Sequence, residues 1–111
     1  MSKKISYLGE FEQLILLAVL RLDGDAYGMT IRQTLQKIAN RSSSLGSVYT
    51  TLDRLEDKGL LTSWVGEPLA ERGGRAKKFF KITGAGALAL KFALNSTESM
   101  KAGLEPLLEK P

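Results

Sequence analysis

The chain has 111 residues, neither cysteine nor histidine, and a formal net charge of +4 from 16 basic and 12 acidic residues. This length predicts one domain with a modest core, and the missing residue types exclude disulfides, thiolate metal sites and Cys or His catalysis. We therefore expect neither an enzyme nor a cofactor. The longest apolar run, from Leu14 to Leu20, is far shorter than the ~20 residues that span a bilayer, and no secretion signal is recognisable, so we expect a cytoplasmic protein without a membrane partner.

The first predicted helix covers residues 8–22 and is apolar around almost its whole circumference. A helix that is apolar all round is buried all round, and a domain this small has difficulty covering both sides from its own chain. We therefore expect a second subunit to cover the free side. Partial burial within a monomer is the alternative.

The second predicted helix covers residues 28–39, with apolar residues at helical spacing from Tyr27 to Ile38. Gly28 at its start allows another part of the chain to approach closely, and the ring of Tyr27 anchors the helix there. This pattern favours a packing joint over a ligand site.

The third predicted helix follows Ser44, a suitable N-cap, and ends at Gly59, which can adopt the left-handed conformation that closes a helix. Helical spacing places one apolar face toward the core, with Tyr49 on its flank. The opposite face carries small, hydroxylated or cationic residues: Gly46, Ser47, Thr50, Arg54 and Lys58. Small side chains permit close approach, and hydroxyls bond to phosphates or base edges, so this face is a candidate DNA-contacting surface.

Two strand-like runs at residues 61–65 and 77–82 flank a turn rich in glycine. Basic residues without any acid extend from Arg72 to Lys81. Solvated surfaces normally mix both signs of charge, so this run favours DNA contact over simple solubility. A helix followed by a hairpin with a cationic tip is typical of a winged helix-turn-helix, in which the helix enters the major groove and the hairpin follows the backbone or the minor groove. Phe80 and Ile82 should face the core, and Trp64 should pack in the core or on the hairpin.

The last predicted helix starts near residue 84, where Thr83 is a suitable cap, and its first turns are apolar and rich in alanine. Small side chains let helices pack closely, so this helix is the natural partner for the free side of the first helix. Pro106 should disrupt any helix around it.

Four segments of the chain, taken together, resemble the PadR family of transcriptional regulators. They are Ala-Tyr-Gly at 26–28, the run at 46–55, Lys-Gly-Leu-Leu at 58–61 and the basic run at 75–86. The chain departs from the family at Thr50, where proline is frequent, and at Phe79 and Phe80, where tyrosines are frequent. The resemblance implies a mainly α protein with a small β-hairpin, made of a winged helix-turn-helix DNA-binding domain at 1–83 and a C-terminal dimerisation helix at 84–111.

The function implied by the resemblance is that of a DNA-binding transcriptional regulator, which we expect to be a repressor that acts as a homodimer on a palindromic operator in double-stranded DNA. A protein-interaction module whose hairpin docks on an acidic partner is the alternative. Binding of a small-molecule effector of unknown identity is possible. Some PadR-type regulators hold aromatic ligands with a tryptophan on the last helix, but this last helix contains no tryptophan and Phe92 is its only aromatic residue. The expected DNA contacts are Ser47, Tyr49, Thr50, Arg54, Lys58, Arg72, Arg75, Lys77 and Lys78, and the expected dimer contacts are Phe11, Ile15, Leu88 and Phe92.

Overall fold

The computed structural model describes residues 6–67 and 76–109, which form helices and one antiparallel β-hairpin. The elements in chain order are α1 (Glu10–Leu22), α2 (Gly28–Ala39), α3 (Leu45–Asp57), β1 (Leu61–Val65), β2 (Lys78–Ile82), α4 (Gly84–Lys101) and α5 (Glu105–Leu108). The predicted mainly α architecture with a small hairpin is confirmed. The described part of the chain contains no helix that is both long and apolar enough to cross a membrane.

One core joins α1, α2, α3 and the hairpin. Phe80 of β2 is the largest side chain buried in it, which confirms the direction predicted for that residue. Residues without any exposed surface come from every helix of this group and from the connection after α1: Ile15, Leu16, Ala26, Ile31, Val48, Leu52 and Leu55. The core therefore fixes α3 against α1 and leaves the opposite side of α3 free.

The end of α3 sets the direction in which the hairpin leaves the helices. Gly59 has φ +77°, and the N–H of Leu60 donates back to the Leu55 carbonyl over 2.9 Å. This is the left-handed helix closure expected from Gly59, and it buries Leu60 beside Leu55.

The hairpin is held to the helices at its base. β1 and β2 pair from Leu61 opposite Ile82 to Val65 opposite Lys78. The Phe80 N–H donates to the Ala26 carbonyl over 2.8 Å, and Tyr27 forms a single bridge with Phe79, so the connection between α1 and α2 lies along β2.

The first turn of α4 is part of the same packed unit. Thr83 caps α4 by accepting the N–H of Gly86 at 3.0 Å, and its hydroxyl donates to the Gly59 carbonyl at 2.7 Å. The helix ends at Lys101, and Pro106 lies in the first turn of the short α5. Our expectation that Pro106 disrupts any helix is therefore wrong, because a proline in the first turn lacks only an N–H that has no helical partner there.

Candidate nucleic-acid interface

The outer face of α3 is exposed as predicted. Ser47 and Thr50 are exposed, while Val48 and Leu52 on the other side have no exposed surface. Thr51, which the sequence analysis did not assign, is buried with them. A helix face with short hydroxylated side chains is therefore exposed to solvent.

Local hydrogen bonds order the start of α3. The Ser44 hydroxyl accepts the N–H of Ser47 over 3.0 Å, and the two serine hydroxyl oxygens lie 2.9 Å apart. A hydroxyl combines one donor with two acceptor positions, so Ser47 keeps hydrogen-bonding capacity for another group. The cap thus positions Ser47 and leaves part of the hydrogen-bonding capacity of its hydroxyl free.

Tyr49 packs directly on the first residue of α2. A Cβ atom added at Gly28 would lie 2.4 Å from Tyr49 Cζ and 2.5 Å from its hydroxyl oxygen, so only glycine permits this contact. The close approach predicted for Gly28 is confirmed, with Tyr49 as its partner. The ring remains 40% exposed, which leaves Tyr49 at the edge of the α3 surface.

A carboxylate that the sequence analysis missed lies beneath two of the predicted DNA contacts. Glu12 of α1 is only 7% exposed, and its Oε2 lies 3.0 Å from Lys58 Nζ and 3.9 Å from Arg54 Nη1. Its Oε1 accepts the Gly9 N–H over 2.9 Å. Burial raises the pKa of Glu12, but the Gly9 N–H and the two cations together hold that pKa below its ordinary value. Glu12 is therefore ionised at neutral pH.

A weak signal for Glu12 exists in the sequence. It occupies the same helix face as Ile15, Leu16 and Val19, all of which are buried. An acid at a position that helical spacing assigns to the core needs a partner, because a buried charge without one is costly. The spacing would have indicated a buried ion pair, although not its partners.

Lys77, just before β2, and Lys78, its first residue, extend in different directions. Lys77 Nζ lies 3.1 Å from the Tyr27 hydroxyl oxygen and 4.3 Å from the centre of that ring, while Lys78 Nζ lies 3.6 Å from Glu56 Oε1 of α3. The opposite directions follow from the alternation of side chains along extended chain. Arg72 and Arg75, predicted for the tip of the hairpin, lie outside the described residues.

Aromatic side chains cover the outer face of the hairpin. Trp64 stacks on Phe79 at 5.7 Å between ring centres, and Phe79 meets Tyr27 edge to face at 5.5 Å. This arrangement confirms the hairpin packing expected for Trp64. It also explains Gly66, where a Cβ atom would lie 2.5 Å from the Phe79 ring.

The predicted dimer contacts occupy different environments. Leu88 and Phe92 of α4 are 69% and 41% exposed, and Phe11 of α1 is half-buried. Ile15 has no exposed surface, so we correct its assignment: it packs in the chain's own core and offers no surface to a partner. The apolar surface left on α1 includes Leu20, which is exposed.

The described residues contain no group of three or more acidic side chains that could hold a metal ion.

Comparisons with known proteins agree with this arrangement. Residues 16–92 match the family described as the transcriptional regulator PadR-like family. A PadR-like transcriptional regulator from Bacillus cereus superimposes with a TM-score of 0.71 and 23% identity, over 91% of this chain and 93% of that one. A PadR-like transcription factor from Bacteroides fragilis gives a TM-score of 0.69 and 26% identity, over 87% of this chain and 88% of that one. The comparison with curated proteins found no match. The predicted winged helix-turn-helix fold is confirmed.

Proposed function

Because the chain belongs to the PadR-like family of transcriptional regulators, we propose that it is a homodimeric repressor that binds a palindromic operator in double-stranded DNA. The observation that carries the proposal is the outer face of α3, which presents Ser47, Thr50 and Arg54 to solvent while the opposite face is locked in the core. A helix held in this way fits the major groove, where its N-terminal residues reach base edges.

The proposed contacts divide by chemistry. Ser47 and Thr50 are short hydroxylated side chains suited to base edges, and Arg54 reaches bases or nearby phosphates. Tyr49 and Lys58 lie at the margins of the same surface and are proposed to contact the backbone.

The hairpin adds a second area of proposed contact. Lys77 and Lys78, at the end of the paired strands farther from the base, are proposed to hold phosphates, and Arg72 and Arg75 to occupy the tip. Phosphate contacts of this kind carry no sequence information but increase affinity for every DNA, and they make binding fall with salt.

A second subunit is proposed to cover the apolar surface of α4 and α1. Leu88 and Phe92 project from α4, and α5 adds the exposed Leu107 and Leu108. Exposed apolar groups of this number are typical of a protein interface rather than of a monomer's surface. A twofold dimer presents two α3 helices, which requires operator half-sites about 34–36 Å apart or a multiple of that distance.

The test of DNA binding is selection of fragments from a genomic library at near-physiological salt, followed by titration of the selected and scrambled duplexes. We expect one enriched palindromic site and an affinity that falls steeply with salt. Equal, salt-independent binding to both duplexes would contradict the proposal and favour a protein-interaction module.

The test of the dimer is analytical sedimentation at micromolar concentration. We expect no stable monomer, because separating the subunits exposes the apolar surfaces of α1 and α4. A compact, soluble monomer at this concentration would contradict the homodimer.

A further inference from the structure

Glu12 competes for the cations that the proposed function assigns to DNA. Its carboxylate lies on α1, buried beneath α3, whereas the side chains of Lys58 and Arg54 are 37% and 52% exposed. Each cation therefore lies between the buried carboxylate and the solvent from which a phosphate would approach. These ion pairs differ from surface ion pairs because the carboxylate they share is shielded from water.

We propose that Glu12 weakens non-specific DNA binding by holding back Lys58, the nearer of the two cations at 3.0 Å, and that it releases this lysine only on the operator. The inference rests on the proposed function. A cation that leaves Glu12 for a phosphate leaves a buried carboxylate behind, and removing one partner of a buried ion pair is costly. On random DNA, a phosphate contact hardly offsets this cost. On the operator, the base contacts of Ser47 and Thr50 hold α3 close to the DNA and supply the free energy that the phosphate contact alone does not.

The proposal has a measurable consequence for the salt dependence of binding. Each phosphate neutralised by a protein cation contributes about 0.9 to the slope of log affinity against log salt. With Glu12 present, Arg54 and Lys58 together contribute one such contact on random DNA, and without its charge they contribute two. Glu12→Gln should therefore steepen the slope on random DNA by about 0.9. This corresponds to about eightfold tighter random binding at 0.1 M salt, if the two lines meet at 1 M.

The experiment compares Glu12→Gln with the wild type on random and operator duplexes over a range of salt concentrations. Glutamine keeps an oxygen that can accept the Gly9 N–H, and it replaces the charged oxygen that faces the two cations by an uncharged NH2 group. Glu98→Gln is the matched control, since it makes the same change of net charge in an exposed pair with Lys101 on α4. We expect a steeper slope and a lower ratio of operator to random affinity for Glu12→Gln alone. An unchanged slope, or an equal change for Glu98→Gln, would overturn the inference.

A triple variant shows whether the effect passes through the two cations. With Arg54→Gln and Lys58→Gln already in place, adding Glu12→Gln should leave the slope on random DNA unchanged. A steeper slope in that background would overturn the inference, because Glu12 would then act on the DNA directly.

A measurement on the wild type keeps the inference testable if these variants do not fold. NMR of the lysine ammonium groups should show the bonded Lys58 signal retained with random DNA and lost with the operator. Loss of that signal with random DNA would overturn the inference. A wild type that binds neither duplex contradicts the proposed function itself, so the two failures are distinguishable.

Discussion

Replacing Gly86 by alanine should disturb the packing of the first turn of α4 against the residues that follow α3. A Cβ atom at this position would lie 2.1 Å from the Leu60 carbonyl oxygen and 2.8 Å from Ile82 Cγ1. The same carbonyl accepts the Thr83 N–H over 3.1 Å, so it cannot turn away without losing that hydrogen bond. The clash is with the backbone rather than with the end of a flexible side chain, and α4 itself has to move.

The size of the effect follows from this geometry. Favourable contacts between non-bonded heavy atoms are about 3.5 Å long, so relieving the 2.1 Å contact requires the start of α4 to shift outward by about 1.4 Å. A methyl group forced into a packed site costs ~1–3 kcal/mol, and we expect about 2 kcal/mol here. In a domain of this size that loss lowers Tm by roughly 10 °C.

Gly84→Ala is the matched control, because Gly84 lies two residues before Gly86 in the first turn of the same helix. No described atom lies within 4 Å of a Cβ placed at Gly84. The substitution there should be neutral or stabilise the fold by up to ~1 kcal/mol, since alanine favours the helix. Thermal and urea unfolding, followed by circular dichroism at one fixed protein concentration, measure both variants. If Gly86→Ala is as stable as Gly84→Ala, the packing argument is refuted.

Three further predictions concern DNA contact and pH. Thr50→Ala should weaken operator binding by roughly 1–3 kcal/mol and leave scrambled DNA nearly unaffected in paired titrations, and an equal loss on both would restrict Thr50 to positioning the backbone. Changing Arg72 and Arg75 to alanine should weaken binding to all DNA and flatten the salt slope by up to about 1 per lost contact, and an unmoved slope would place the hairpin tip off the DNA. The lowered pKa of Glu12 contributes stability above its ordinary value of 4.5, which is lost as pH falls through the folded-state pKa. Urea unfolding between pH 6 and 3 should therefore show a smaller loss for Glu12→Gln than for the wild type, and parallel losses would contradict the ion pair.

The local elements were predictable because their signals lie close together in the sequence. The bounds of α2 and β1 agree with the prediction. Apolar spacing and Gly28 mark the start of α2, and Gly59 marks the end of α3, after which β1 begins. The burial of Phe80 was predictable from the alternation of side chains along a strand. The outer face of α3 was recognisable because helical spacing alone separates the apolar residues of α3 from the polar ones.

Partners distant in the sequence were not predictable. Glu12 and Lys58 are brought together only by the packing of α1 against α3, and no local pattern identifies which cation meets which acid. Ile15 was misassigned because a helix that is apolar all round does not reveal which of its sides faces its own core. Pro106 was misread because proline both ends helices and begins them, and the deciding feature is the turn at Gly103, which has φ +84°.

The attachment of the hairpin at its base has a consequence for how it opens. The Phe80 amide is buried and bonded to Ala26, and the following Thr83 is bonded to both Leu60 and Gly59. Val65, at the far end of β1, is exposed. Amides exchange with solvent through local openings whose free energy is lowest where few buried contacts must break. Hydrogen exchange should therefore be slowest at Phe80 and faster toward Val65, so that the hairpin frays from its far end while its base stays joined to the helices.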